Sequence, residues 1–453
     1  MKMARIHETI GALAAALLTA ALLTAAPRAS FAAASDLNLD VRPENRTILI
    51  PGRGDGTVQI QVIAPDDPAP RRRPNMNLSL VIDRSGSMSS ARKLDFVKTA
   101  AHQLVDMMGP DDILSIVTYD DRVTVPWQAR RVDGNRETLH RIIAGIYPGG
   151  STFLSGGLDE GFRQAGEGRR RGYLNRVLLL SDGLANVGVT HRGALREMAG
   201  NMARQGVSVS TFGVGNDFDE ELMAGTATAG GGNYRYLGDP ERIVAALSDE
   251  LQSASRTYAS DVEIIIRLRR DCRFGSVLGR EWRREGDSYV IRLGDLAAGG
   301  RRTVFANVNV DGDRPGMREV GDVTLRYRDP VSEKTVTAAP RTVSLELVRD
   351  ERLHREGFDR SVQEGKAVAE SSAMVREAAR LADEGKKDKA KEMLGKAAAG
   401  LSAAPASPAV KAEMERAAEY GNRLDAMGDM SSEEAKGVQK SIKYKSHRQL
   451  QEQ

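Results

Sequence analysis

Between Leu78 and Leu251 the chain alternates between two hydrophobic periods. The runs "LSLVID", "DILSIVTYD", "NRVLLLSDG" and "VSVSTFGVG" are short and β-rich, and "NRVLLLSDG" is the most fully apolar of them. Residues 91–108, 136–146, 154–164 and 192–204 instead repeat their apolar positions at helical spacing. "FDEELMAGTATAGG" predicts a further helix and "NYRYL" a short strand. Residues 240–251 predict a closing helix with Pro240 in its first turn, where a missing amide hydrogen is tolerated. Apolar strands separated by helices of about 10 to 15 residues predict a mostly parallel central sheet with helices on both faces.

Outside this region the period changes. From Tyr258 to Val348, stretches such as "DVEIIIRLRR", "RRTVFANVNVD" and "GDVTLRYRD" alternate between Gly and Asp turns, which predicts an accessory β-sandwich over 256–348. "RTILI" and "TVQIQVIA", within 35–74, are strands without a sheet of their own. They are expected to join the sandwich, making 75–255 an insertion into a β module. Residues 349–453 form a C-terminal helical region: a hairpin turning at Gly385, a break at Pro405 and Pro408, a further helix, and a polar end that is helical or frayed.

Composition narrows the function. The 453 residues leave room for two or three domains, and the formal net charge of +3 with 5% aromatics argues against nucleic acid as a partner. Lys2 and Arg5, an apolar run from Thr9 to Ala26, and small residues at Ala32 and Ala34 read as a signal peptide over 1–34. A run of this length is short for a membrane span of about 20 residues, so no firm membrane insertion is expected once it is cleaved. The single cysteine, Cys272, reads as a small core side chain.

Chemistry gathers at strand ends. In a parallel α/β sheet the loops at the carboxyl ends of strands form the ligand crevice. Three such loops carry hard oxygen donors: Asp83-Arg84-Ser85-Gly86-Ser87, Gly149-Gly150-Ser151-Thr152 and Ser181-Asp182-Gly183. Two buried carboxylates at one sheet edge need a positive charge between them. A hard divalent cation supplies it, with Asp83, Asp182, Ser85, Ser87 and Thr152 filling five positions directly or through water and a sixth left open. Hydroxyl-rich coordination favours Mg²⁺, with Mn²⁺ and Ca²⁺ as alternatives. Ser89 or Ser90 is expected to cap the helix starting near Ala91, and Asp120 and Asp121 read as a solvated loop.

"VIDRSGSM", "YPGGSTFLSGGL" and "LLLSDGLANVG" resemble the von Willebrand factor type A (VWA) family with its metal-ion-dependent adhesion site, D-x-S-x-S…T…D. "TFGVGNDFDEELMAGTATAGGGNYRYL" is similar to the exported bacterial, inter-alpha-trypsin-inhibitor-like branch. The resemblance implies a Rossmann-like α/β domain over 75–255. It also implies metal ligation by Asp83, Ser85, Ser87, Thr152 and Asp182, with hydroxyls bound directly and aspartates often through water. The implied role is cation-dependent protein binding, in adhesion or complex assembly, with the open position taking a partner's acidic side chain. The implied location is the periplasm, the cell surface or the medium of a bacterium. Three rivals are an envelope scaffold whose metal is only structural, a metal-assisted hydrolase, and a subunit of a chelatase-like metal-insertion machine, which fits poorly because its motor partners are cytosolic and this chain reads as exported. Six scattered histidines without ligand spacing or a legible triad speak against the enzyme.

Overall fold

Strand β7 (Tyr173–Ser181) shows why the central sheet is covered on both sides. Its Leu178 and Leu180 pack with Leu80 and Ile82, while Val177 and Leu179 pack with Val81 and Val117 in a second core on the opposite face. A strand buried on both faces can be uninterruptedly apolar, which is the pattern "VLLL" shows.

The computed structural model describes residues 37–50, 54–66, 74–238, 242–428 and 432–452. The signal-peptide reading of 1–34 and the placement of Pro240 fall outside them. In the sandwich, β1 (Asn38–Pro43), β2 (Thr47–Leu49) and β3 (Gly54–Ile63) precede the α/β domain. The domain runs through β4 (Asn75–Asp83), α1 (Lys93–Met107), β5 (Ile113–Tyr119), β6 (Val123–Arg131), α2 (Arg136–Ala144) and α3 (Leu154–Glu167). After β7 come α4 (Arg192–Arg204), β8 (Ser208–Val214), α5 (Glu220–Ala229), β9 (Gly231–Leu237) and α6 (Arg242–Ser255). The sheet order is β6-β5-β4-β7-β8-β9, parallel throughout except for β6. Strand β6 was not foreseen. It is an edge strand with alternating exposure and holds Pro126, which an edge tolerates because no ladder amide is needed there. Helices α1, α2 and α6 cover one face; α3, α4 and α5 cover the other. The chain moves outward from β4 to β5, then returns to place β7 on the other side of β4. The strand order therefore reverses between β4 and β7, where ligand crevices of open α/β sheets lie.

The sandwich continues through β10 (Thr257–Leu268), β11 (Cys272–Val277), β12 (Trp282–Glu285), β13 (Ser288–Ala297), β14 (Arg301–Val310), β15 (Gly316–Arg328), β16 (Thr335–Thr337) and β17 (Arg341–Val348). One sheet is β1-β3-β14-β11; the other is β12-β13-β10-β15-β17-β2, with β16 on β15. The strands before the α/β domain thus lie in both sheets, and Ile60 and Val62 share a core with Ile264, Leu325 and Leu345. Cys272 is buried at its margin. The turn after β13 ties together the two connections to the α/β domain: Gly299 N–H donates to the Pro65 carbonyl (3.0 Å) and Ala298 N–H to that of Arg256 (2.9 Å). Between the domains, buried Arg176 on β7 pairs with Glu250 on α6 (2.7 Å) and with Asp295 on β13.

Helices α7 (Glu351–Glu356), α8 (Arg360–Asp383), α9 (Lys387–Ala403), α10 (Pro408–Ala426) and α11 (Glu433–Glu452) complete the chain. Gly385 makes the α8–α9 turn at φ +74°, and the Ser407 hydroxyl accepts from Val410 N–H at the start of α10. The polar last segment is a full helix because it has a surface to lie on. In α11, Lys440 donates to the Phe218 carbonyl (2.8 Å), Lys443 pairs with Glu220 (2.8 Å), and Tyr444 meets Tyr234 edge-on. No helix among the described residues is long and apolar enough to cross a membrane.

His447 on α11 is buried, and that burial, with Arg376 and Arg280 nearby, pushes its pKa down to about 3. The imidazole stays neutral in the fold, while the unfolded chain takes up a proton below about 6.5. This contribution to stability is therefore lost as pH falls through 6.5. Lowering the pH from about 7 to about 5 is expected to cost about 2 kcal/mol through this residue. Urea unfolding at both pH values checks it: the wild type should lose that much more stability than His447→Gln.

Candidate metal centre

Strand β4 ends on Asp83, which is fully buried. Its Oδ1 accepts from Ser85 N–H (2.8 Å), and its Oδ2 from the Ser181 hydroxyl (2.6 Å) and more distantly from Tyr119 (3.4 Å). Burial pushes its pKa up to about 6, against the pull of the Ser181 and Ser85 hydrogen bonds; the Asp182 charge adds to the rise. The next residues turn tightly over Gly86–Arg92. Gly86 N–H donates to the Gly150 carbonyl (2.9 Å) and Gly149 N–H to that of Arg84 (2.6 Å), which binds the first loop to the second.

The predicted donors converge. Ser85 and Ser87 hydroxyls lie 3.1 Å apart, and Ser87 donates to Asp182 Oδ1 at 2.7 Å. Thr152 is fixed through its N–H to Asn186 Oδ1 (2.8 Å). A Cβ at Gly183 would sit 3.3 Å from the Thr152 hydroxyl and 3.6 Å from that of Ser87, so the third loop lies directly against both hydroxyls. Asp83, Ser85, Ser87, Thr152 and Asp182 thus come from three loops to one spot, with Ser87 on the exposed side.

Two expectations are corrected. Neither Ser89 nor Ser90 caps α1: the Ser89 hydroxyl donates back to the Gly86 carbonyl, and no side-chain cap is present. The cause is local. Ala91 and Arg92 both take left-handed φ (50° and 58°), which swings the chain between the serines and the helix start. Asp120 is no solvated residue, although Asp121 is exposed. Burial alone would raise the Asp120 pKa; the Arg122 N–H and the Arg84 guanidinium, 2.7 Å away, hold it below the usual range.

Lys93 was missed. In the first turn of α1 it is buried, with Nζ 2.7 Å from Asp182 Oδ2. It packs on Gly215, whose φ of +73° and lack of a side chain make the room. The signal was present: Lys93 stands four residues before Val97 on the apolar stripe of an amphipathic helix, a place where a charge needs a buried partner.

This donor set fits a hard cation. Every converging ligand atom is a hydroxyl or carboxylate oxygen, and Lys93 balances only one of the two buried carboxylates. Among the described residues no group of three or more His, Cys, Asp or Glu is arranged to hold a metal, so an ion here depends on the hydroxyls.

The family model for the von Willebrand factor type A domain matches residues 77–250, the segment that carries this arrangement. Residues 77–250 are a VWA domain. Among curated relatives, YfbK of Escherichia coli (strain K12) is 28% identical over 308 residues, 64% of this chain and 50% of that protein. Inter-alpha-trypsin inhibitor heavy chain H3 of Rattus norvegicus is 23% identical over 196 residues, 42% of this chain and 22% of that protein. The chain therefore spans half the length of YfbK. Beyond the VWA domain, the whole fold is shared with a von Willebrand factor type A structure from Catenulispora acidiphila. The TM-score is 0.73 at 16% identity, covering 92% of this chain and 97% of that one.

Lys93→Met would leave the buried Asp182 without its cation. In EDTA the variant is expected to lose about 3 kcal/mol of stability by urea unfolding. Added Mg²⁺ should return more of that loss to the variant than it adds to the wild type.

Proposed function

We propose that the VWA domain is a divalent-cation-dependent protein-binding module, in adhesion or complex assembly. Asp83, Ser85, Ser87, Thr152 and Asp182 would hold Mg²⁺, with Mn²⁺ or Ca²⁺ as alternatives. The ion, when bound, supplies a positive charge that accepts a carboxylate from the partner protein. Charge supports this: two carboxylates and one ammonium leave one negative charge, so a divalent ion leaves one positive charge for an acidic side chain to neutralise.

The observation that carries the reading is the rim. Tyr147, Leu184 and Val189, on the loops that lead to Gly149, follow Asp182 and precede α4, are 68%, 58% and 40% exposed. Large apolar side chains around a polar, charged centre are what a protein interface uses, with water excluded at its edge. A purely structural metal in a scaffold would not call for them, and a hydrolase would call for a free base beside a nucleophile. The lysine at this centre is instead ion-paired. The order of charged, apolar and small residues over 1–34 supports an exported protein, in the periplasm or at the cell surface.

Calorimetry with Mg²⁺ and Mn²⁺ tests the site, and capture of partners from envelope extract tests its use. The double variant Ser85→Ala/Ser87→Ala is expected to bind metal at least tenfold more weakly. Partners held in Mg²⁺ should leave in EDTA. Partners retained equally in EDTA and by the double variant would favour the scaffold reading.

A second test addresses the rim alone. Leu184→Asp is expected to keep metal affinity within about twofold yet weaken partner binding at least tenfold, because the loss lies in the apolar contact.

A further inference from the structure

Away from the Asp83–Asp182 centre, helices α4 and α5 of the VWA domain, the loop between β11 and β12, and helices α8 and α11 line an open cavity of about 410 Å³. Its basic lining is Arg196, Arg280, Arg376 and His447. The carboxylates beside them already have partners: Glu281 pairs with Arg196 of the lining (3.2 Å), and Glu221 and Glu377 pair outside it with Arg192 (2.7 Å) and Arg380 (2.5 Å).

Two guanidinium groups are left over. Arg280 is only 9% exposed, and its hydrogen bonds go to the Gln451 carbonyl (2.8 Å) and side-chain amide oxygen (2.5 Å), both uncharged. Its Nε has no partner. Burial, and then the positive Arg302 close by, push its pKa down to about 9, far below that of an ordinary arginine. Arg376, half-buried on α8, makes no hydrogen bond or ion pair among the described residues. His447, 8% exposed, has a buried Nδ1 without a partner. A buried guanidinium without a counter-charge is strongly unfavourable, and arginines so placed commonly complete themselves with an oxyanion.

We propose that this cavity binds a phosphate group, free or as the monoester of a small polar molecule, with Arg280 and Arg376 as its charged ligands and His447 as a neutral one. Charge selects the class. Two unpaired guanidinium groups match a phosphate of charge about −1.5 to −2 near pH 7 better than chloride or a single carboxylate. The planar forks of arginine suit its oxygens. The volume exceeds that of inorganic phosphate and lies within the range of small-molecule sites, about 300 to 1,000 Å³. Because Arg280 belongs to the sandwich and Arg376 and His447 to the helical region, the bound anion ties these two parts of the chain together. The proposal is independent of the metal centre.

The test is thermal unfolding of the full chain in low millimolar inorganic phosphate or glycerol 3-phosphate, against chloride at equal ionic strength. The wild type should show a saturable rise in Tm of about 2 °C or more. Arg376→Gln, which gives up no hydrogen bond or ion pair, should stay within about 1 °C of the wild-type Tm in chloride but need at least tenfold more ligand. Arg280→Gln should lose the response as well. General salting-out by phosphate would move wild type and variants alike. Saturation at lower concentration with glycerol 3-phosphate marks the ester as the ligand class; the reverse order marks the free anion. No saturable shift in the wild type with either probe, or an equal shift in Arg376→Gln, overturns the proposal.

Discussion

Two fully buried carboxylates, Asp83 and Asp182, sit at the ends of neighbouring parallel strands. Strands β4 and β7 are held in register up to Ile82 and Leu180, so the two charges cannot draw apart without opening the sheet. Much of the surrounding structure answers that repulsion. Ser181, Tyr119 and the Ser85 amide give hydrogen bonds to Asp83, and Lys93 and Ser87 give theirs to Asp182. Even so, burial raises the Asp83 pKa to about 6, and Lys93 offsets only one of the two carboxylates, so the pair remains a local cost to the fold.

The loops above the pair are shaped around it. The turn after Asp83 tightens so that two serines face one point, at the cost of left-handed backbone at Ala91 and Arg92. The Arg84–Asp120 pair, 2.7 Å long, braces this turn against the strand β5 side of the crevice. The carboxyl end of the sheet is thus charged and hydroxylated, while Arg176 with Glu250 and Asp295 locks the domain to the sandwich from within the same strand, β7.

The α/β alternation and the meeting of five oxygen-bearing side chains at the strand ends were legible because both depend on local order: an apolar run, then a short polar loop. The strand at the sheet edge was not, since β6 is half exposed and interrupted by Pro126, a pattern that also fits a loop. Lys93 and Asp120 were missed for a different reason. Each is buried by a partner distant in sequence, Asp182 for one and Arg84 for the other, and burial of a charge follows from the pair. The polar C-terminal helix likewise owes its order to Glu220, Phe218 and Tyr234, residues some two hundred positions earlier. The strands before residue 66 could be assigned to the sandwich only as leftovers without a sheet of their own; which strands they pair with was not legible, because those partners, β14 and β17, follow the whole α/β domain.

The single turn at Ala297–Gly300 that grips both Pro65 and Arg256 has a mechanical consequence. A pull on the face that carries Asp83 and Asp182 reaches the β module through two covalent connections side by side, sharing the load. Strand β3 lies in the middle of one sheet, against β1 and β14, and β10 in the middle of the other, against β13 and β15. Tension along these strands shears rows of hydrogen bonds together instead of unzipping them one at a time. Such an arrangement suits a domain that must stay folded under load.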